Sequence, residues 1–331
     1  MFQVLQRNSS FNYVLLPIVA LLLWGMNIIE PHFVTHYYDS TPMVLYKPLM
    51  AIQNATELGG QLVGILIVCL NIIALVKVNS SIRLIEKRSV FYILLYIIFS
   101  ASLQDFKQLN PMQPALLFLI LGFASLFKMY KQERELTSIF EAGVCVAIAT
   151  LFYAPSIYFA VVVFIGLLVL VPFYWRQWLA ALFGILLPIF IVFAISFCFD
   201  TLQTQIQVWN VNLFTQRAIT FNSLTPLIFS LFLALLFILS SVYAFSGGLK
   251  KVVLRKCYFI LLLFLALILS VYLFVPYVGI EFLFFGTLPV AIYIANYMVN
   301  IRSKIFAEAL FFLIIACTVC VQIFPDITIN L

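Results

Sequence analysis

Eleven apolar stretches run through this chain, and fifteen of its eighteen Lys and Arg residues fall on alternate connections between them. A helix needs about 20 apolar residues, at about 1.5 Å each, to cross roughly 30 Å of hydrocarbon. The stretches are Phe11–Ile29, Leu58–Val78, Ser89–Leu103, Gln113–Tyr130, Ile139–Tyr153, Ser156–Val171, Gln177–Phe199, Leu224–Phe245, Cys257–Val275, Phe282–Asn300 and Ile305–Phe324. They predict an all-α chain, a polytopic transmembrane helical bundle in which residues 1–331 form a single integral membrane domain. The third and fifth are short, so nine to eleven crossings is the expected range.

The charges then set the orientation. With eleven crossings and a cytoplasmic N-terminus, Arg7, Lys77, Arg83, Lys87, Arg88, Lys128, Lys131, Arg134, Arg176, Lys250, Lys251, Arg255, Lys256, Arg302 and Lys304 lie inside. Only Lys47, Lys107 and Arg217 lie outside, as does the C-terminus, in keeping with the positive-inside rule. Removing one central crossing would invert the charge bias of every later connection. Composition excludes a soluble chain, since 65% of residues are hydrophobic and 9% are charged. The net charge of +6 is a topology signal: inner-leaflet phospholipid is the expected partner of the basic turns, and nucleic acid is not.

The first stretch lacks a small-x-small cleavage site and is read as retained. Cys69, Cys145, Cys198, Cys257, Cys317 and Cys320 all sit in or beside apolar stretches, as small core residues do. The C-x-x-C spacing of the last two lacks the second ligand pair of a zinc site.

Two connections are long, 30–57 and 200–223, and both face outward, so function is expected there. In the first, Pro31 would start a surface helix on which His32, His36 and Asp39 share a face at i, i+4 and i+7. That face suits a divalent metal or a general base; the plainer alternative is an interfacial helix with Tyr37 and Tyr38 among headgroups. Glu30, Asp39 and Asp105, the last in the outer turn 104–111, are the candidate catalytic acids, since converging carboxylates divide acid and base roles. Lys107 lies beside Asp105 as a salt-bridge partner or a substrate ligand.

The second long connection carries Ile206, Val208, Trp209, Val211 and Leu213, and is expected to fold back onto the bilayer. Its one cation, Arg217, offers a planar fork to a phosphate, with Trp209 and Lys107 completing the substrate-binding set. Elsewhere, Ser138 and Glu141 fit a capping box, and residues 172–178 read as an aromatic anchor around Arg176.

From Asn110 to Phe193 the chain reads Asn-Pro, an apolar helix with Gly122, a basic turn, Phe140-Glu141-Ala142-Gly143, Leu151-Phe152-Tyr153-Ala154-Pro155, another apolar helix and Trp175-Arg176-Gln177-Trp178. This order resembles a family of uncharacterised inner-membrane proteins of Bacteroidetes. More distantly it resembles the GT-C superfamily of polytopic glycosyltransferases. The resemblance implies a bacterial inner membrane and sugar transfer from a polyprenyl-phosphate donor at the outer face. It assigns acids to Glu30 or Asp39 and Asp105, and donor phosphate to Arg217.

The chain departs from that pattern by lacking a tandem acidic motif in its first outer loop and a large soluble C-terminal domain. A non-catalytic membrane subunit or assembly factor is the alternative. A lipid or small-molecule transporter ranks lower, because polar groups at helix centres are few, chiefly Gln61 and Asn71, and no inverted repeat is visible.

Overall fold

Every residue from Phe91 to Ser100 is buried, although Phe-Tyr-Ile-Leu-Leu-Tyr-Ile-Ile-Phe-Ser is apolar enough to face lipid. Ten helical residues span only about 15 Å, so this third stretch is a core helix clad by longer neighbours. The computed structural model describes residues 16, 18–25, 37–82, 85, 91–129, 135–214, 224–249, 251–275, 278–301 and 303–323. Among these no strand occurs. Glu30, His32, His36 and Arg217 lie outside the described residues.

In chain order the helices are α1 (18–25), α2 (Tyr37–Ser40), α3 (Lys47–Ala55), α4 (Glu57–Ile82), α5 (Phe91–Ser100), α6 (Gln104–Lys107), α7 (Met112–Lys128) and α8 (Leu136–Phe152). A 3-10 turn, Ala154–Phe159, leads into α9 (Ala160–Leu170), followed by α10 (Trp175–Cys198), α11 (Leu202–Phe214) and α12 (Leu224–Tyr243). After a π turn come α13 (Val252–Phe274), a second 3-10 turn (Ile280–Gly286), α14 (Thr287–Asn300) and α15 (Lys304–Ile323). By length and composition, six helical segments among the described residues are able to cross a membrane: those at Leu58–Asn79, Trp175–Cys198, Ile228–Ser246, Val252–Phe274, Ile280–Asn300 and Lys304–Gln322. Four shorter apolar segments, Phe91–Ser100, Met112–Lys128, Leu136–Phe152 and Ala154–Leu170, pack among them.

The core follows from which faces are apolar all round. α14 is buried almost throughout and packs on α5, α12 and α13, whereas α10 keeps Phe183, Leu186, Phe190 and Ile195 exposed. The closest helix pair is α8 with α10, at Gly143 and Gly184. A Cβ on Gly184 would lie 3.2 Å from the Gly143 Cα and collide with the Phe140 carbonyl oxygen. Glycine is needed there because backbone meets backbone.

The contacts sort the connections into two ends. At one end Leu45 N–H donates to the Leu151 carbonyl at 3.2 Å, and Asn212 Nδ2 donates to the Thr41 carbonyl at 2.8 Å. There too Gln322 Nε2 of α15 donates to the Ala101 carbonyl at 2.8 Å. At the other end Lys256 Nζ reaches the Leu170 carbonyl at 3.4 Å, and Tyr243 Oη reaches that of Asn300 at 3.5 Å. Among the described residues, Lys77, Lys128, Arg176, Lys251, Arg255, Lys256 and Lys304 belong to the second, basic end. Lys47 and Lys107 belong to the first, loop-rich end.

The structure adds local detail. In the first long connection α3 occupies Lys47–Ala55, with Pro48 in its first turn, where a missing N–H costs nothing. In the second connection Gln205 and Asn212 are buried while Ile206 and Phe214 are exposed, and Asn212 is fixed by its bond to Thr41. The capping box is replaced by a different arrangement. α8 starts two residues before Ser138, whose hydroxyl donates to the Glu135 carboxylate at 2.9 Å, and Glu141 instead accepts from Ser125 Oγ of α7 at 3.1 Å.

α10 ends with Asp200 at φ 55°, the left-handed residue of a Schellman cap. Its two bonds run from Thr201 N–H to the Ser196 carbonyl at 2.9 Å and from Asp200 N–H to that of Phe197 at 3.2 Å. The cap turns the chain from α10 into α11. All six cysteines are free.

Candidate functional site

The loop-rich end is built around the turn 101–111, which joins two helices and therefore has carbonyls that no helix satisfies. Gln113, at the start of α7, satisfies two of them: its Nε2 donates to the Phe106 carbonyl at 3.0 Å and to the Gln108 carbonyl at 2.8 Å. Asn110 Oδ1 accepts from Gln113 N–H at 3.0 Å, so an Asn before Pro111 does the work of a helix cap. Asn71 of α4 donates to the Gln113 carbonyl at 3.2 Å, and Tyr46 Oη donates to that of Leu109 at 3.1 Å. Asn71, Asn110 and Gln113 are wholly buried, so the network fixes the turn against α4 and the segment after α2.

This network was missed by reading charges alone. Its signal was present: two amides around Pro111 and Pro114, in a chain where polar groups within helices are scarce and become costly when unpaired.

The turn carries two of the candidate residues. Asp105 is half-buried, and its carbonyl accepts from Asn110 Nδ2 at 3.4 Å. Lys107 is 6% exposed, and among the described residues it makes no ion pair with Asp105. Burial pushes its ammonium below the ordinary lysine range, since the charged form loses hydration. Lys107→Met, which keeps the length and removes the charge, is accordingly expected to stabilise the protein by about 1 kcal/mol. A higher midpoint of thermal unfolding in detergent would register it.

Asp39, in α2, is half-buried and lies close enough to Tyr46 to act on it. Burial first, and the Asp39 charge second, raise the Tyr46 hydroxyl well above its usual range. Because Tyr46 bonds to Leu109, Asp39 and the turn bearing Asp105 and Lys107 are tied to one end of the bundle. Trp209 of α11 joins them there, packing in a small cluster with Met43, Ala154 and Val208 and stacking toward Phe193 at 5.8 Å. Its Nε1 is buried without an acceptor. Among the described residues no group of three or more His, Cys, Asp or Glu side chains is placed to hold a metal.

Beside the turn lies an apolar crevice of about 340 Å³. Phe106, Leu103 and Phe99 form one wall, Leu283, Gly286 and Val290 the floor, and α12 and α13 the sides. Its rim residues Ser230 and Ile238 on α12, and Ala266 and Leu269 on α13, are exposed, so it opens sideways between those two helices. Phe106 packs edge-on to Phe284 at 5.3 Å. Beyond it Phe159, Phe282 and Phe285 form a rigid aromatic platform, with ring separations of 5.1 to 5.8 Å.

Among the described residues, an all-helical structure with six long apolar helices, a basic end and a polar network at the other defines a membrane-embedded protein. It belongs to the Family of unknown function (DUF6427), whose model matches residues 40–329. No curated protein and no solved structure matches the chain.

Proposed function

We propose that the chain is a multi-pass protein of a bacterial inner membrane, N-terminus cytoplasmic and C-terminus outside, whose loop-rich end is the outer face. The partition of Lys and Arg between the two ends supports this orientation. At that face we assign it GT-C-like transfer of a sugar from a polyprenyl-phosphate-linked donor. The observation that carries the assignment is the gathering of Asp39, Asp105, Lys107 and Trp209 at one end of the bundle.

In this reaction the bond between the anomeric carbon and the phosphate oxygen breaks, and its electrons leave with the phosphate. The acceptor oxygen bonds to the anomeric carbon as its proton passes to a carboxylate. Asp39 or Asp105 takes that proton, Lys107 opposes the charge on the departing phosphate, and Trp209 offers its ring and Nε1 to the sugar. Glu30 and Arg217 would act from the flanking segments.

Proteoliposomes holding short-chain polyprenyl-phosphate hexoses with radiolabelled sugar, supplied with a water-soluble sugar whose hydroxyl serves as acceptor, test this. Label is expected to leave the lipid phase, with at least about a 100-fold loss of rate in Asp39→Asn or Asp105→Asn. Release no faster than from empty vesicles, or equal in wild type and both variants, sinks the reading. That result would leave a non-catalytic membrane subunit, which the long exposed apolar face of α10 favours as a surface for a partner helix.

A further inference from the structure

The crevice between α12 and α13 has the dimensions of one leaflet. From Phe229 to Ile238, its lining on α12 covers about 14 Å of helix, close to half of a hydrocarbon core of roughly 30 Å. Two of its three polar side chains are satisfied within the fold: Ser102 Oγ donates to the Phe99 carbonyl at 2.7 Å, and Thr287 Oγ1 donates to that of Phe284 at 2.6 Å. Sequence-adjacent helices usually pack together, yet here α12 and α13 each pack on α14 and leave the gap between them open to the bilayer. At about 340 Å³ it stands at the small end of ligand pockets, suited to one hydrocarbon chain and not two.

One wall of the crevice adjoins a charged residue in the chain. Leu103 and Phe106 line it, and Lys107 follows Phe106 directly on α6. Snorkelling anchors reach outward to headgroups with the charge in water. Lys107 does not, being buried with no counter-ion among the described residues. A buried unpaired cation is costly, and an anion brought by a ligand relieves that cost.

We propose that this crevice binds an anionic glycerophospholipid of the outer leaflet, one acyl chain between α12 and α13, the second left in the bilayer, and the phosphate directed to Lys107. The site shares Lys107 with the sugar transfer proposed above, but its acyl-chain crevice does not depend on that reaction and stands whether or not the chain is an enzyme.

The test uses the full chain in nanodiscs doped with chain-spin-labelled phosphatidylglycerol or phosphatidylcholine, read by electron paramagnetic resonance. The wild type is expected to hold a motionally restricted population with about a fivefold preference for phosphatidylglycerol, which corresponds to about 1 kcal/mol for one cation meeting an anionic lipid. Lys107→Met should remove the preference and leave the restricted population, whereas Lys107→Arg should keep both. Ala266→Trp fills the crevice and should abolish the restricted population, with Ala234→Trp on the facing helix as the check if the first variant fails to fold. Equal restriction of the two lipids by the wild type overturns the proposal, as does an undiminished population in a folded Trp variant. Displacement of the probe by an equimolar polyprenyl monophosphate overturns the phospholipid as occupant and assigns the crevice to the donor lipid. Loss of sugar transfer with lipid binding intact would refute only the enzymatic reading.

Discussion

Gly184→Val is expected to cost about 3 kcal/mol, at the upper end for overpacking, and to leave little monodisperse protein after extraction. The new Cβ would meet the Phe140 carbonyl oxygen and the Gly143 Cα. Neither is the end of a flexible side chain, so relief requires α8 and α10 to part along their whole contact. Gly143→Val meets the same obstacle from the other helix, where the nearest atoms are the Ala181 carbonyl oxygen and the Ile185 nitrogen. In hydrocarbon, association depends on such close approach, because apolar side chains gain little by leaving lipid for one another. Gly122→Ala is the control: its Cβ would touch only the Cys145 Cβ at 3.2 Å and the Ala142 carbonyl at 3.6 Å, and a shift of a few tenths of an ångström accommodates it. If thermal melts placed Gly184→Val within a degree of wild type, the close backbone contact would be wrong.

The second large effect is expected at Gln113. Its amide is the donor for two carbonyls of the turn, and both lie where little water reaches. Gln113→Leu leaves them short of that donor and should cost about 2 kcal/mol, the penalty for a buried group losing its partner. Gln113→Glu should be worse at neutral pH, since a carboxylate there turns an acceptor toward two acceptors. The order wild type, Leu, Glu in melting temperature is what a structural role for the network requires. A Glu variant as stable as wild type would mean that the turn finds its donors elsewhere. The same series should loosen Asp105 and Lys107, so lipid preference and stability are expected to fall together.

Much of this architecture is written in the hydropathy of the chain, for a physical reason. Lipid demands long uninterrupted apolar helices, and Trp175–Cys198, Val252–Phe274 and Lys304–Ile323 are legible from length alone. The brevity of the third stretch was also visible, and its burial follows from ten residues being too few to cross. What hydropathy does not carry is which helices touch. The crevice exists because α12 and α13 are held apart on α14, a three-body arrangement that leaves no periodic mark.

Polar residues were legible only by type. Asp105 and Lys107 stand two positions apart, but the turn is shaped by the amides of Asn110 and Gln113. Asn212 was read as part of a surface segment because nothing local reveals its bond to Thr41, 171 positions away. Asp200 gave no sign of the left-handed conformation that glycine more often supplies.

The short central helix also sets a timetable. α5 is covered by α14 and α15, which follow it by almost two hundred residues. At about 5–20 residues per second, a ribosome would need tens of seconds to produce them. During that interval a ten-residue helix cannot span the bilayer and has α4 among its permanent neighbours, whose Leu75 carbonyl accepts from Tyr92 Oη at 3.0 Å. Its other faces must be sheltered in a provisional setting, such as a membrane insertase. Gln322 of α15 bonds to Ala101 only once α15 has been made, so loss of that helix would expose the centre of the protein and not merely its edge.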